Sequence, residues 1–271
     1  MNLITVLGAS GFIGSHLVTT LQARGAEHIA LGRADSLPDR NLGDVIFSIG
    51  LTADFRAQPL ETVEAHVCRL REVLQSCEFD SLTYLSSTRI YGHASETTEE
   101  TDSLPVNPNE PDELYNISKL MGESLALSSG KNARVVRLSN VYGDDFSSGN
   151  FLSTIIGEAI SNHRIVLRTA PESAKDYISV DDVVRVLLEI VARGSERVYN
   201  VASGENLTNA KLAAAIRKIT GCSIEFVPGA PCVTFPQIDI ARIRSEFDFA
   251  PRALLDDLSN LIASYRAAIG R

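Results

Sequence analysis

Tyr115 and Lys119 stand one helical turn apart in the segment YNISKLMGESLALS, which runs from Tyr115 to Ser128. Their spacing puts a phenol and an ammonium on one helical face. A phenol with an ordinary pKa near 10 is a poor base at neutral pH, but a neighbouring positive charge favours its phenolate. It can then take a proton from an alcohol or return one to a ketone, the proton half of a hydride transfer. Upstream, the strand-like run Ser81 to Ser86 ends in Ser86-Ser87-Thr88-Arg89-Ile90-Tyr91-Gly92. In an open parallel sheet, ligands bind at the carboxyl ends of strands, so these hydroxyls mark the expected substrate side.

Hydride chemistry needs a carrier, and the first seventeen residues, MNLITVLGASGFIGSHL, supply a place for one. Leu3 to Leu7 is apolar and β-branched, as suits a strand buried on both faces. A turn follows at Gly8, whose freedom from a side chain permits unusual backbone angles. Gly11 leaves room for a diphosphate, Gly14 lets a helix pack close to the strand, and the helix N-terminus faces an anion with free N–H groups. Ser10, Phe12 and Ile13 complete this predicted dinucleotide cradle. Two residues separate each glycine from the next, a longer first gap than in the common fingerprint.

Phe12 to Arg24 reads as the first helix, ended by Gly25. His28 to Leu31 is a short second strand, and the residue at its end meets the adenosine ribose. An acidic residue there suits a free 2′-hydroxyl and an arginine suits a 2′-phosphate. Here Gly32-Arg33 comes first, with no carboxylate before Asp35, so NADP is preferred over NAD. Asp44 to Ile49 is the next strand, and a crossover with a further strand would need roughly 30 residues. This half of the sheet is therefore pared down. Gly50 then lets backbone approach the cofactor, and Leu60 to Ser76 is an amphipathic helix with Val63, Val67, Leu70, Val73 and Leu74 inward.

The chain has 271 residues, of which 44% are hydrophobic and 22% charged, an ordinary globular balance. Its net charge of -9 argues against a nucleic-acid partner, so an anionic substrate would need a local basic pocket. Cys68, Cys77, Cys222 and Cys232 show neither paired spacing nor scaffold density, which fits reduced thiols in a cytoplasmic protein. No metal site is expected. No segment approaches ~20 consecutive apolar residues, so no membrane span is expected.

Six segments, taken together, carry a resemblance: GASGFIGSHL (Gly8 to Leu17), LSSTRIYG (Leu85 to Gly92), YNISK (Tyr115 to Lys119), VVRLSNVYG (Val135 to Gly143), KDYISVDDV (Lys175 to Val183) and YNVASGENLT (Tyr199 to Thr208). The chain resembles, over nearly its whole length, the extended short-chain dehydrogenase/reductases. Within them it resembles the NAD-dependent epimerase/dehydratase family that acts on nucleotide-activated sugars. The resemblance implies an α/β fold, a Rossmann-type doubly wound parallel sheet with a small C-terminal substrate-binding cap. Residues 1–142 with 177–202 would form the dinucleotide-binding part, and 143–176 with 203–271 the smaller one. It implies Tyr115 as general acid/base, and Lys119 as the residue that holds the nicotinamide ribose and lowers the tyrosine pKa. Ser87 would orient the substrate oxygen. Leu138 backbone would lie near the nicotinamide amide, and Thr88, Asn140 and Lys175 would contact substrate. The acidic pair Asp181-Asp182 would be structural. Helices at Leu60 to Ser76 and Tyr115 to Ser128 commonly form a homodimer interface in this family.

Departures narrow the chemistry. Lys175 stands where the family usually has an arginine, so phosphate recognition loses a two-pronged contact. A C-terminal basic-glycine-acidic motif is absent around Pro228 to Pro236. His66 stands where the family often has asparagine, and reads as a satisfied core histidine. Dehydratases have an acidic pair after the catalytic hydroxyl, where this chain has Thr88 and Arg89. Dehydration is therefore disfavoured. Three readings remain: a reductase of a nucleotide-linked keto-sugar, an epimerase with tightly bound NAD, and a dinucleotide-sensing Rossmann protein without chemistry, against which the complete Ser87, Tyr115 and Lys119 set argues.

Overall fold

The computed structural model describes residues 2–52, 55–93, 97–146 and 149–270. Met1, at the head of the first stretch, and Arg271, the end of the expected smaller part, lie outside them. β1 (Ile4–Leu7) is buried along its length, as its apolar run requires, and leads through the glycine turn into α1 (Phe12–Ala23). β2 (His28–Leu31) lies parallel to β1, with His28 opposite Ile4. Residues 32–43 are too few to hold a helix and a further strand. The chain instead returns directly to the other flank of β1 as β3 (Asp44–Phe47), with Asp44 opposite Ile4. That reversal on either side of β1 opens the crevice in which such sheets bind their ligands.

Next come α2 (Pro59–Val63), one wide π-type turn at Glu64–Cys68, and α3 (Arg69–Ser76). β4 (Ser81–Ser87) runs into a 3₁₀ turn at Thr88–Tyr91, followed by α4 (Glu113–Ser128) and β5 (Ala133–Leu138). The remainder is β6 (Asn140–Tyr142), α5 (Phe151–Ser161), β7 (Arg164–Leu167), β8 (Ala174–Ser179), α6 (Val180–Arg193), β9 (Val198–Val201), β10 (Asn206–Thr208), α7 (Asn209–Thr220), β11 (Ser223–Phe226), α8 (Ala241–Phe247) and α9 (Leu254–Ala268). Six strands form one sheet in the order β2-β1-β3-β4-β5-β9, and every pairing in it is parallel.

Helices cover both faces. Leu17 and Leu21 of α1 pack with Val183, Leu187 and Ile190 of α6 on one side, and Leu70 and Val73 of α3 pack with Ala126 of α4 on the other. The sheet is thus doubly wound and Rossmann-type. A separate core joins Ile155 and Ile156 of α5, Leu212 and Ile216 of α7, and Leu258 and Ile262 of α9. A three-stranded sheet, β10-β8-β6, and the parallel pair β11-β7 lie on this side of the molecule.

One element differs from its periodicity. Leu60 to Ser76 is expected as a single helix with Val63 and Val67 inward, yet both are only half-buried while Thr62, Ala65 and His66 are buried. The extra residue in the π-type turn rotates the inward face. Past the turn, Leu70, Val73 and Leu74 are buried as expected.

Candidate active site

The carboxyl ends of β1, β3, β4 and β5 bring the predicted groups together. Gly8 has φ of 91°, and a Cβ there would lie 2.9 Å from Ile49 N, just past the end of β3. At Gly14 a Cβ would lie 2.1 Å from Gly8 O, so this contact between turn and helix demands glycine. Gly11 is the N-cap of α1 and no side chain caps the helix. The turn uses the N–H groups of Gly8, Ala9 and Gly11 on Leu31 O and Gly8 O. The first-turn N–H groups of Phe12 and Ile13 lie before any intrahelical acceptor, as at every helix start. Ser10 is exposed beside them. Together the bare backbone and outward N–H groups fit a dinucleotide diphosphate.

At the end of β2, Arg33 is exposed. Asp35, the nearest carboxylate, turns back on its own loop and accepts from Gly32 N at 2.7 Å. At the end of β3, a Cβ on Gly50 would lie 3.5 Å from Lys119 Nζ and 3.6 Å from His66 Nε2, so bare backbone faces both groups.

Ser87 ends β4, opposite Leu138 of β5 in the register, and its Oγ accepts from Arg89 N at 3.2 Å. Tyr115 projects from the first turn of α4 and is 4% exposed. The Ser87 and Thr52 hydroxyls lie beside its phenol. Burial raises the Tyr115 pKa above its ordinary value, while those hydroxyls and the Arg89 charge pull it down. Lys119, one turn along, donates from Nζ to Leu85 O at 2.9 Å. Burial lowers its pKa to about 7, with Glu123 opposing the shift. The cation beside the Tyr115 ring is Arg89, whose Cζ is 5.5 Å from the ring centroid. A Lys119 that loses its proton near neutrality is uncharged before a phenol of raised pKa ionises. Arg89 is a second cation beside Tyr115, next to the Lys119 named from the sequence.

His66 is fully buried and doubly bound. Its Nε2 accepts from Leu51 N at 3.1 Å, which leaves Nδ1 to donate to Ser118 Oγ at 2.8 Å. Ser118 passes the chain on to Tyr115 O at 2.9 Å. Burial and the Lys119 charge push the His66 pKa to about 2, so the ring is neutral. It is a satisfied core histidine, and it links the Gly50 loop to the helix that carries Tyr115.

On the substrate side, Asn140 is exposed at the start of β6 and donates from Nδ2 to Asp176 O at 2.7 Å. Lys175 on β8 lies 4.8 Å over the Phe151 ring, and burial and the Arg89 charge lower its pKa. Thr88 is buried in the 3₁₀ turn. Asp182 accepts from Ser179 Oγ at 2.9 Å and from Arg252 N at 2.9 Å, and Asp181 pairs with the Arg252 guanidinium at 2.8 Å. This acidic pair ties α6 to the start of α9. Among the described residues no group of three or more His, Cys, Asp or Glu is placed to hold a metal, and no helix is long and apolar enough to cross a membrane.

Thr52, Phe55 and Arg89 are absent from the predicted set. Phe55 is 1% exposed, with its ring centroid 5.4 Å from that of Tyr115. A hydroxyl two residues past the glycine at a strand end was the available signal for Thr52. For Arg89 it was the position two residues past Ser87. Nothing local marks Phe55.

The chain matches the model of the NAD dependent epimerase/dehydratase family over residues 4–63 and 43–202. It is 26% identical over 314 residues to the dTDP-4-dehydro-6-deoxy-D-allose reductase of a Streptomyces species, covering 97% of this chain and 96% of that protein. Its fold is shared with MoeE5 in complex with UDP-glucose and NAD, at a TM-score of 0.82 and 24% identity over 98% of this chain and 99% of that one. It is likewise shared with RMD from Pseudomonas aeruginosa complexed with NADPH, at 0.81 and 21% identity over 98% and 100%. With its glycine cradle, its Ser87, Tyr115 and Lys119 cluster and this match, the chain belongs to the NAD dependent epimerase/dehydratase family, as an NAD(P)-dependent enzyme of the extended short-chain dehydrogenase/reductase type.

Proposed function

We propose that the chain reduces a ketone on a nucleotide-linked sugar, with NADPH as the preferred donor. The observation that carries this reading is the buried Tyr115 phenol, beside the Ser87 and Thr52 hydroxyls and a cation, with Thr88 and Arg89, not carboxylates, following Ser87. Water loss needs a base at that place, and a guanidinium cannot serve as one. A nicotinamide dinucleotide, when bound, supplies the hydride. The Ser87 hydroxyl orients the substrate oxygen, and Tyr115 gives that oxygen its proton as the carbonyl carbon becomes tetrahedral. Burial keeps the phenol protonated at neutral pH, the form a reduction consumes. Lys119 lies one turn from Tyr115 at the bare Gly50 backbone, where a ribose hydroxyl would meet it.

In this reading Gly8, Ser10, Gly11, Phe12, Ile13, Gly14 and Gly50 hold the dinucleotide, with Leu138 backbone against its nicotinamide. Arg33 takes the 2′-phosphate, supported by its exposure and by Asp35 being committed to Gly32 N. Thr88, Asn140 and Lys175 meet the sugar nucleotide. Residues 1–142 with 177–202 form the dinucleotide part and 143–176 with 203–271 the substrate part, supported by the separate core around α5, α7 and α9. A homodimer through the helices at Leu60 to Ser76 and Tyr115 to Ser128 is supported by Leu60, 79% exposed, and Met121, 51% exposed. A cytoplasmic setting fits the unpaired Cys68, Cys77, Cys222 and Cys232.

Epimerisation through a transient ketone is the second reading. The fold shared with a UDP-glucose 4-epimerase of Thermotoga maritima supports it. Freshly purified protein is denatured, any released dinucleotide identified, and the emptied protein titrated with NADPH and NADH. An empty protein that prefers NADPH is the result expected of the reductase. Stoichiometric bound NAD would transfer the assignment to the epimerase.

A further inference from the structure

Arg89 stands beside Tyr115 as a cation, but none of these roles uses the hydrogen-bond donors of its guanidinium. Its backbone N–H donates to Ser87 Oγ at 3.2 Å, which fixes the residue to the hydroxyl that meets the substrate oxygen. Its guanidinium packs against two rings, with Cζ 5.5 Å from the Tyr115 centroid and 5.0 Å from that of Phe55. The fork is therefore held next to the reacting centre. Yet among the described residues its side-chain donors make no hydrogen bond. Asp112 is its ion-pair partner among the described residues, with Nη2 to Oδ2 at 3.9 Å, beyond hydrogen-bond range. Asp112 is already taken by Arg56, which donates to both of its oxygens at 2.5 and 2.6 Å. Glu113, the other carboxylate whose charge reaches Arg89, accepts from Asn116 Nδ2 at 2.8 Å and is bonded to His93. The Arg89 side chain is 32% exposed, so a ligand can reach it.

We propose that Arg89 seats a carboxylate borne by the sugar ring, next to the carbon whose oxygen Tyr115 protonates. This rests on the nucleotide-sugar reading of the site. A guanidinium forms two parallel bonds to a carboxylate and gains little from a neutral hydroxymethyl group at the same place. Partial burial strengthens that contrast, because an unmatched cation out of water is costly and a matched one is not. Lys175, whose pKa burial and Arg89 both lower, puts a second positive charge on the same pocket in a chain of net charge -9. Arg89 is tied to Ser87, at the reacting ring, so the sugar substituent rather than the diphosphate is its partner.

The test is equilibrium binding, by calorimetry, to wild type and Arg89→Gln loaded with dinucleotide. The ligands are UDP-glucuronate and UDP-glucose and the corresponding dTDP pair. Wild type is expected to favour the uronate by about tenfold, one two-pronged ionic contact, and Arg89→Gln to lose that preference. Arg89→Lys, which keeps the charge without the fork, should restore part of it. Equal wild-type affinity for the two sugars, or a preference that survives in Arg89→Gln, would overturn the proposal. An equal loss for both sugars in Arg89→Gln would move the contact to the diphosphate and overturn it too. Failure of wild type to bind any of the four would overturn the nucleotide-sugar reading itself. An unchanged melting temperature and dinucleotide affinity for Arg89→Gln exclude misfolding as the cause of any loss.

Discussion

In the proposed reaction Tyr115 carries the proton: three neighbours pull its pKa down against burial, and burial prevails. Replacing it with phenylalanine keeps the ring packed on Phe55 and His66 while removing the acid. Tyr115→Phe is expected to lower turnover by about 10²–10⁴-fold, the usual worth of a positioned acid, with dinucleotide affinity changed no more than a few-fold. Fluorescence titration beside steady-state assay checks both halves, and a variant that keeps substantial activity would assign the proton to another group. His66 makes a prediction through its neutrality. Its pKa in the fold is about 2, against about 6.5 in an unfolded chain. Between those values the unfolded state binds the extra proton and the folded state does not. Stability is therefore intact above pH ~6.5 and falls as pH drops towards 2, by up to ~1.4 kcal/mol per pH unit from this residue. Urea unfolding between pH 7 and 5 should show a shallower fall for His66→Asn than for wild type. Identical slopes would assign the acid sensitivity to other groups.

Strands and turns place these residues, and their legibility follows the range of the forces involved. The glycine turn is readable because its cause is local: Gly8 needs φ of 91° and Gly14 needs to touch the turn, whatever the rest of the chain does. The pared-down sheet is readable from the length of residues 32–43 alone. The π-type turn at Glu64–Cys68 is not, because it is fixed by what His66 reaches: Leu51 N, 15 positions away, and Ser118 Oγ, 52 positions away. Thr52 and Phe55 join Tyr115 for the same reason, through a loop whose course only the assembled sheet decides. At the end of β2 the local signal was sufficient to pose a question of specificity. Asp35 spends its carboxylate on Gly32 N, and in the proposed reading Arg33 is the charged group for a ribose substituent. Arg33→Ala is expected to weaken NADPH by about tenfold, the loss of one charge-assisted contact, and to leave NADH within a factor of two. Competitive titration of both cofactors measures this, and an equal loss for both would cancel the 2′-phosphate assignment.

Across the whole molecule, several of the motifs that mark the family are joints rather than catalytic parts. Tyr91, Arg137 and Asn200 each fall in a quoted motif, and they meet in one buried network. Arg137 on β5 donates to both oxygens of Glu123 on α4, with Nε to Oε1 at 3.1 Å and Nη2 to Oε2 at 2.7 Å. Its Nη1 donates to Tyr91 OH at 2.6 Å, and Tyr91 donates to Asn200 Oδ1 at 2.9 Å. Asn200 Nδ2 then reaches Thr98 O at 2.7 Å and Asp239 O at 3.0 Å. Five stretches that are distant in sequence are thereby held at one place, and the 3₁₀ turn after Ser87 is one of them. The Arg137 and Glu123 side chains are 6% and 4% exposed. Removing the arginine alone strands a carboxylate away from water, a loss of about 3–5 kcal/mol. Arg137→Met is expected to cost that much in chemical denaturation, whereas the double change Arg137→Met with Glu123→Leu should recover most of it, because no orphan charge remains. Arg193 and Glu189, at 52% and 46% exposure, provide the control. Losing that exposed pair in Glu189→Ala should cost less than ~1 kcal/mol. If the double variant were no more stable than Arg137→Met, the loss would come from the packing and hydrogen bonds of Arg137 itself, and the stranded charge would be excluded as its cause.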